Sequence, residues 1–317
     1  PVILGSSGNT GTLKYTAASG SSTQPFTLAT GGTGVFDVTT ALTIDFSNGG
    51  ISGSGNFTKT GAGTLTLSTS NNNYGIGTAS QFTGVTTISG GVIKLTVAFN
   101  GNGANNGSTF GLQKSVYDTT GSSSSLDVTA AGINVLWLGG LQGNVALATA
   151  VNGYSAIANL NLNPQTGTSA SYDGVIANGA ANMILNKLGP GTQTLTATNT
   201  YSGITRVYAG TLALSGASGS ALNSAFTVLG GTLSLDNSGG AWVNRLTDGT
   251  ALSLGSLTLK SYNGAGIQTE TVGATTFAVG GKVTINNGTT GGDQTTLAMG
   301  AVTRSAGAAI DLSLIHI

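Results

Sequence analysis

Residues 59–70 read KTGAGTLTLSTS and residues 82–95 read FTGVTTISGGVIKL, while residues 187–215 read KLGPGTQTLTATNTYSGITRVYAGTLALS. Glycines, Thr/Leu alternation and closing apolar pairs fall in the same order, so these are two copies of one unit. Alignment sets Gly61 and Gly63 on Gly189 and Gly191, Leu67 on Leu195, Asn71 on Asn199 and Phe82 on Tyr201. It continues with Gly84 on Gly203, Ile88 on Val207, Gly91 on Gly210, Ile93 on Leu212 and Leu95 on Leu214. The first copy carries an insertion between Asn71 and Phe82 that leaves both flanks intact. Such tolerance at one point is the behaviour of a loop on a stacked architecture.

Outside the copies the alternation persists. Phe36, Val38, Leu42, Ile44 and Phe46 share one parity and Asp37, Thr39, Thr43 and Asp45 the other, which is strand periodicity. Short alternating runs meet around glycine in TTISGGVIKL, RVYAGTLAL, TVLGGTLSL and FAVGGKVTI, at Gly91, Gly210, Gly231 and Gly281, with a variant at Gly140. Each junction alone fits either a hairpin turn or the corner of a solenoid coil. Unequal connections, large insertions and columns of Thr, Ser and Asn favour coils of about 20 residues stacked along an axis. No stripe of 3.6-residue period with caps is found, and the density of Gly and Thr would penalise one.

Composition agrees with a thin, repeated core. The chain has 317 residues, 53 of them glycine and 4 proline, with 39% hydrophobic and 6% charged residues. Low charge excludes the usual form of disorder, and ten cationic against ten anionic side chains leave no field for nucleic acid. The absence of cysteine removes disulfides, thiolate nucleophiles and Cys-ligated zinc.

The expected organisation is one continuous all-β solenoid over residues 1–310. A Gly, Asn and Ser-rich excursion is expected at about 100–125, with Phe110, Leu112 and Tyr117 as its anchors. Gly132 to Val151 is the most apolar stretch, but Asn134, Gln142 and Asn144 and its glycines point to buried strands instead of a membrane helix. Residues 311–317, DLSLIHI, hold the single histidine, His316, show no repeat pattern and resemble translated read-through of a sequencing adaptor. With no initiator Met and no cationic, apolar leader, the sequence reads as an internal piece of a longer protein.

The copies resemble the autotransporter-associated β-strand repeat, also called the passenger-associated transport repeat. Gly189 to Leu195 supply its opening, Asn199, Tyr201 and Gly203 its middle, and Thr205 to Leu214 its close; the first copy departs by its insertion and by Phe82 in place of Tyr. Ala221 to Leu235, Asn244-Arg245-Leu246 and Glu270 to Gly273 are similar to segments found C-terminal to such repeats. The resemblance implies an elongated, single-stranded right-handed parallel β-helix at the bacterial outer-membrane surface or outside the cell. It also implies a structural or adhesive stalk whose repeats support export and folding, with a C-terminal translocator or anchor elsewhere in the parent chain. Loops such as Asn72 to Gln81 and Asn100 to Ser125 are the expected contacts with glycans or surface proteins. The structural motif residues are Gly61, Gly63, Gly84, Gly91, Gly189, Gly191, Asn199, Tyr201, Gly203 and Gly210.

No catalytic, cofactor or metal residue is assigned. A carbohydrate-active β-helix enzyme is the alternative, and it needs converging carboxylates. The acids are Asp37, Asp45, Asp118, Asp127, Asp173, Asp236, Asp248, Glu270, Asp293 and Asp311; Asp37 and Asp45 share parity and could face solvent together, but isolated edge charges are the plainer reading. A Ser/His/Asp site fails on histidine, and GNGANNG at 101–107 lacks the Lys and helix of a phosphate cradle. Gly291-Gly292-Asp293 is one fragment of a calcium-binding repeat and reads as a turn. Trp137, Trp242, Tyr154 and Tyr172 could stack on sugars if exposed, but each lies in or beside an apolar run that suits core packing.

Overall fold

The strand Val85–Ile88 lies between Asn56–Thr60 and Val116–Asp118 and runs parallel to both, although 29 residues separate Phe57 from its partner Thr86 and 31 separate Thr86 from Tyr117. That is the pairing of stacked coils. In this computed structural model the described residues are 1–68, 81–99, 105–239, 244–262, 267–278, 280–287 and 294–315. They form two compact units, 1–165 and 166–317.

In the first unit each coil contributes to a six-stranded parallel sheet of Thr10–Tyr15, Thr33–Val38, Asn56–Thr60, Val85–Ile88, Val116–Asp118 and Gly140–Gln142. A second face stacks Val2–Leu4, Phe26–Leu28, Ile51–Gly53 and Gln81–Phe82. A third carries Gly20–Ser22, Ala41–Asp45, Thr64–Ser68 and Val92–Phe99. The expected parity is the observed inside: Phe36, Val38, Leu42, Ile44 and Phe46 are all buried. Phe26, Phe36, Phe57 and Phe82 meet edge to face, with centroids 5.2, 5.2 and 5.5 Å apart. Phe82 therefore closes an aromatic column, which explains the loss of the tyrosine hydroxyl in the first copy. Each such contact adds about 0.5–1.5 kcal/mol to the burial itself.

The second unit repeats the plan. Its longest sheet runs Ser169–Tyr172, Thr192–Leu195, Thr211–Leu214, Thr232–Asp236, Ser256–Lys260, Gly281–Asn286 and Ile310–Ile315, all parallel. Ile184–Lys187, Thr205–Val207, Phe226–Val228, Leu252–Ser253, Thr275–Phe277 and Val302–Arg304 form a second face. Thr192 pairs with Thr211 and Thr211 with Thr232, so these coils take 19 and 21 residues. Elsewhere the coils are longer, because corners absorb extra residues without disturbing the ladder. The Gly-Gly junctions are coil corners and not hairpins: the strands on each side pair with the coils above and below.

Three expectations change. The stretch read as an excursion carries, among its described residues, the strands Asn105–Phe110 and Val116–Asp118, and Phe110, Leu112 and Tyr117 are fully buried. Those three apolar side chains anchor the stretch in the stack. Asn105–Phe110 first turns back antiparallel on Val92–Phe99, with Thr96 opposite Phe110. The apolar segment 132–151 forms the strands Val135–Leu138 and Gly140–Gln142, but Leu147–Ala150 forms one helical turn, consistent with the high helix propensity of its alanines. Among the described residues no helix is long and apolar enough to cross a membrane. Finally, the strand Ile310–Ile315 runs into 311–317, the stretch expected to follow no repeat pattern, and pairs parallel with Gly281–Asn286.

Candidate functional site

Alternation decides which side chains enter the core, and at the start of each repeat it sends a lysine inward. Lys59 and Lys187 are both fully buried. The Lys59 Nζ donates to the carbonyls of Thr60 at 2.6 Å, Gly61 at 2.9 Å, Gly90 at 3.2 Å and Val38 at 3.5 Å. The Lys187 Nζ donates to Gly189 at 2.5 Å and Ala209 at 2.9 Å. Gly61 and Gly189 are aligned positions, as are Gly90 and Ala209. Each ammonium thus ties its own corner to the corner of the next coil. Burial pulls Lys59 down to about 8 against the charge of Asp37, and burial does the same to Lys187. The carbonyl oxygens are what a buried ammonium needs in order to keep its proton.

The corner glycines make the approach possible. Gly91 and Gly210 have φ of +65° and +61°, and a Cβ on either would lie 2.2 Å from the carbonyl oxygen of Gly63 or Gly191. Those same oxygens accept from the N–H of Val92 and Thr211, each at 3.2 Å. A Cβ on Gly84 would meet the Gly55 carbonyl oxygen at 2.2 Å, and one on Gly203 the Asn182 and Met183 oxygens at 2.3 Å. Gly61 adopts φ of +74° and a Cβ on Gly63 would sit 1.9 Å from the Thr40 oxygen.

A second buried arrangement recurs. Thr205 Oγ1 lies 2.8 Å from Ser224 Oγ, which donates at 2.8 Å to the Gly203 carbonyl. In the first copy Thr86 Oγ1 lies 2.6 Å from Ser115 Oγ, which donates at 2.6 Å to the Gly84 carbonyl. Tyr201 adds its hydroxyl to this relay, 2.7 Å from Thr205 Oγ1, and burial holds that phenol up at about 12. Asn199 accepts from Ile176 N at 2.9 Å and donates to Ala197 at 2.9 Å and Ser220 at 3.1 Å, joining three successive coils. Its aligned partner Asn71 lies outside the described residues. Lys59, Lys187, Ser115 and Ser224 were absent from the sequence-derived motif. The signal for the lysines was present: both copies begin with Lys in a chain with few charges.

An ionic cluster lies C-terminal to the second repeat. Arg245 is fully buried and donates to the carbonyls of Gly219 at 2.5 Å, Gly216 at 2.9 Å and Asp236 at 2.6 Å. Glu270, equally buried, accepts from Leu246 N at 3.0 Å and Arg245 N at 3.4 Å. Burial raises Glu270 to about 7, opposed by those N–H groups and the Arg245 charge. Burial also pulls Arg245 down to about 10, against Asp236 and Glu270. For Asp236 burial acts upward, but hydrogen bonds from Lys260, at 2.8 Å, and Ser238 outweigh it and leave the carboxyl lowered.

Four acids cap local backbone, while Asp173 accepts from Thr196 Oγ1, Asp248 from Asn244 Nδ2, and Asp311 pairs with Lys282. Asp45, Asp118, Asp127 and Asp236 each accept from the N–H two residues on. Asp37 and Asp45, whose shared parity left a common solvent face open beside the plainer reading of isolated charges, belong to strands of different sheets. Parity survives the corner between them but the facing direction does not. Among the described residues no three metal-ligating side chains gather. Tyr154 and Tyr172 are buried, as core packing expects, while Trp137 is half-buried between the buried Leu136 and Leu138 of its strand. Trp242, Asp293, His316 and most of the Asn72–Gln81 loop lie outside the described residues.

One polar groove of about 290 Å³ is lined by Asn223, Thr247, Asp248 and Thr250 and holds a single carboxylate. Two apolar openings, about 320 Å³ at Leu13, Tyr15, Phe26 and Leu42 and about 180 Å³ at Val283, Leu297 and Met299, are core left uncovered by the first and last coils.

Residues 57–95 and 185–214 match the passenger-associated-transport-repeat family, the two segments that hold the buried lysines and the buried Thr86 and Thr205. Over 208 residues, 64% of this chain, the sequence is 32% identical to the Adhesin BmaC autotransporter of Brucella suis biovar 1 (strain 1330). The aligned region spans 5% of that protein's length. No solved structure matches. With a buried lysine at the same place in both, the chain carries two passenger-associated-transport repeats.

Proposed function

We propose that this chain is a stretch of a surface-displayed passenger and serves as a structural, adhesive stalk at the bacterial outer-membrane surface or outside the cell. The observation that carries the reading is the pair of buried lysine locks: each fastens a coil to its neighbour by side chain as well as by ladder. A stack with such locks can close coil by coil as it emerges, without a cofactor or a disulfide, which is how the repeats would support export and folding. Adhesion rests on the similarity to an autotransporter adhesin, and contacts with glycans or surface proteins are its expected partners. The carbohydrate-active alternative has less support, because the polar groove offers one carboxylate where general acid–base hydrolysis uses two.

The test has two parts. Beads coated with the purified chain should adhere to cell or matrix surfaces above uncoated beads, and the urea-unfolded chain should regain its β circular dichroism unaided on dilution. Beads that behave like bare ones would remove the adhesive reading; a chain needing a helper to refold would remove the export reading.

A further inference from the structure

The two repeats agree inside and differ outside. Thr205 and Val207 point into the core as Thr86 and Ile88 do, but the outward residues are Ile204, Arg206 and Tyr208 in place of Val85, Thr87 and Ser89. Packing accounts for the inward set. It does not call for exposed apolar and cationic side chains in the outward set.

Ile204, Tyr208 and Leu229 are 38, 41 and 41% exposed, in the body of the unit and away from its first and last coils. The ladder places Asn186, Arg206, Thr227, Ser253, Thr276 and Thr303 side by side on successive strands, one polar column on the outer face. Ile204 and Ala225 flank it on one side, Tyr208 and Leu229 on the other. Arg206 makes no ion pair among the described residues, where the salt bridges are Lys260 with Asp236 and Lys282 with Asp311.

We propose that this face binds an extended acidic polysaccharide lying along the column, with a uronate carboxylate on Arg206 and a sugar ring on Tyr208. Adjacent strands are about 4.8 Å apart, close to the length of one sugar in an extended polymer, so successive hydroxyl-bearing residues meet successive sugars. The guanidinium matches a carboxylate through two parallel hydrogen bonds, and the neutral column offers nothing that repels an anion. The exposed tyrosine supplies a flat apolar platform with a polar tip. This names a ligand for the adhesive reading and rests on it.

The experiment is binding of the full chain to polygalacturonate, with neutral dextran as control, by isothermal titration at low and high salt. The expected result is salt-sensitive binding to polygalacturonate alone. Arg206→Gln should weaken it about tenfold or more, the loss of a charge-assisted hydrogen bond, and Tyr208→Ala should weaken it while circular dichroism stays unchanged. No binding by the native chain, equal binding of dextran, or variants that bind as well as the native chain would each overturn the proposal. Coated beads carrying Arg206→Gln separate the two readings. Adherence that persists in a chain blind to polygalacturonate keeps the stalk as an adhesin and removes this face; polygalacturonate binding by a chain whose beads do not adhere keeps the face and removes the adhesin.

Discussion

Glu270 meets Arg245 through the backbone and not through the guanidinium. Its carboxylate accepts from the N–H groups of Arg245 and Leu246, while the guanidinium donates to the carbonyls of Gly216, Gly219 and Asp236. The acid caps a bend of the chain, and the base closes the carbonyls of neighbouring coils. Each is committed to backbone, so neither is free for reaction chemistry.

This arrangement makes stability depend on pH. The folded-state pKa of Glu270, about 7, lies above its ordinary value of 4.5, so the folded form binds a proton more tightly. Its contribution to stability is full below about pH 4.5 and is lost as pH rises through 7. Midpoints of urea unfolding between pH 5 and 8 should fall with pH, and Glu270→Gln should flatten the trend. An unchanged slope in the variant would mean that another group governs it. Asp236 acts oppositely: its lowered pKa makes its contribution present above the unfolded value and lost on further acidification.

Removing a lysine lock orphans buried carbonyls. Lys187→Met keeps the apolar stem and leaves the Gly189 and Ala209 oxygens without their ammonium partner, a loss of about 2–3 kcal/mol by the usual cost of an unsatisfied buried acceptor. Lys59→Met should cost at least as much, since that ammonium serves more carbonyls. Equilibrium unfolding in urea measures both, and a change below about 0.5 kcal/mol in each would show that water substitutes for the lock.

The hydroxyl relay gives a graded series. Tyr201→Phe removes one donor and leaves Thr205 bonded to Ser224, at about 1 kcal/mol. Ser224→Ala orphans the Gly203 carbonyl and should cost about 1–3 kcal/mol. Ser115→Ala should cost less than Ser224→Ala, because the Gly84 carbonyl keeps the N–H of Val116 at 3.2 Å. Urea unfolding midpoints that fall further for Ser115→Ala than for Ser224→Ala would contradict this order.

Corner glycines differ in what surrounds them. Gly210→Ala meets two carbonyl oxygens at 2.2 and 2.6 Å, whereas Gly121, with φ of +69°, has nothing within 4 Å. Gly121→Ala should lose only the roughly 1 kcal/mol of left-handed backbone strain, while Gly210→Ala should lose about 3 kcal/mol or more. Comparable thermal midpoints for the two variants would contradict this.

Much of the architecture was legible in the chain because a strand reports its inside every second residue. Phe36, Val38, Leu42, Ile44 and Phe46 kept parity across a corner, and the two repeat copies share a buried lysine and a buried threonine–serine pair at corresponding places. The reading failed at Asn105–Phe110 and Val116–Asp118, where Gly, Asn and Ser density outweighed three apolar anchors. It also missed that Lys59 and Lys187 point inward, because a lysine in a sequence is assumed to seek water. Composition weighs residues singly, and a coil needs only one or two anchors per face.

Spacing along one chain was enough to establish the repeating unit and the inward parity of its strands, since both are local properties. Stacking in three dimensions settled which carbonyls surround each lysine, that Asp37 and Asp45 sit in different sheets, and that Arg206 and Tyr208 share an outer face with Leu229. Those relationships join residues some twenty positions apart, and their register is set by the length of every intervening corner. Local pattern does not encode corner length; packing one coil on the next fixes it.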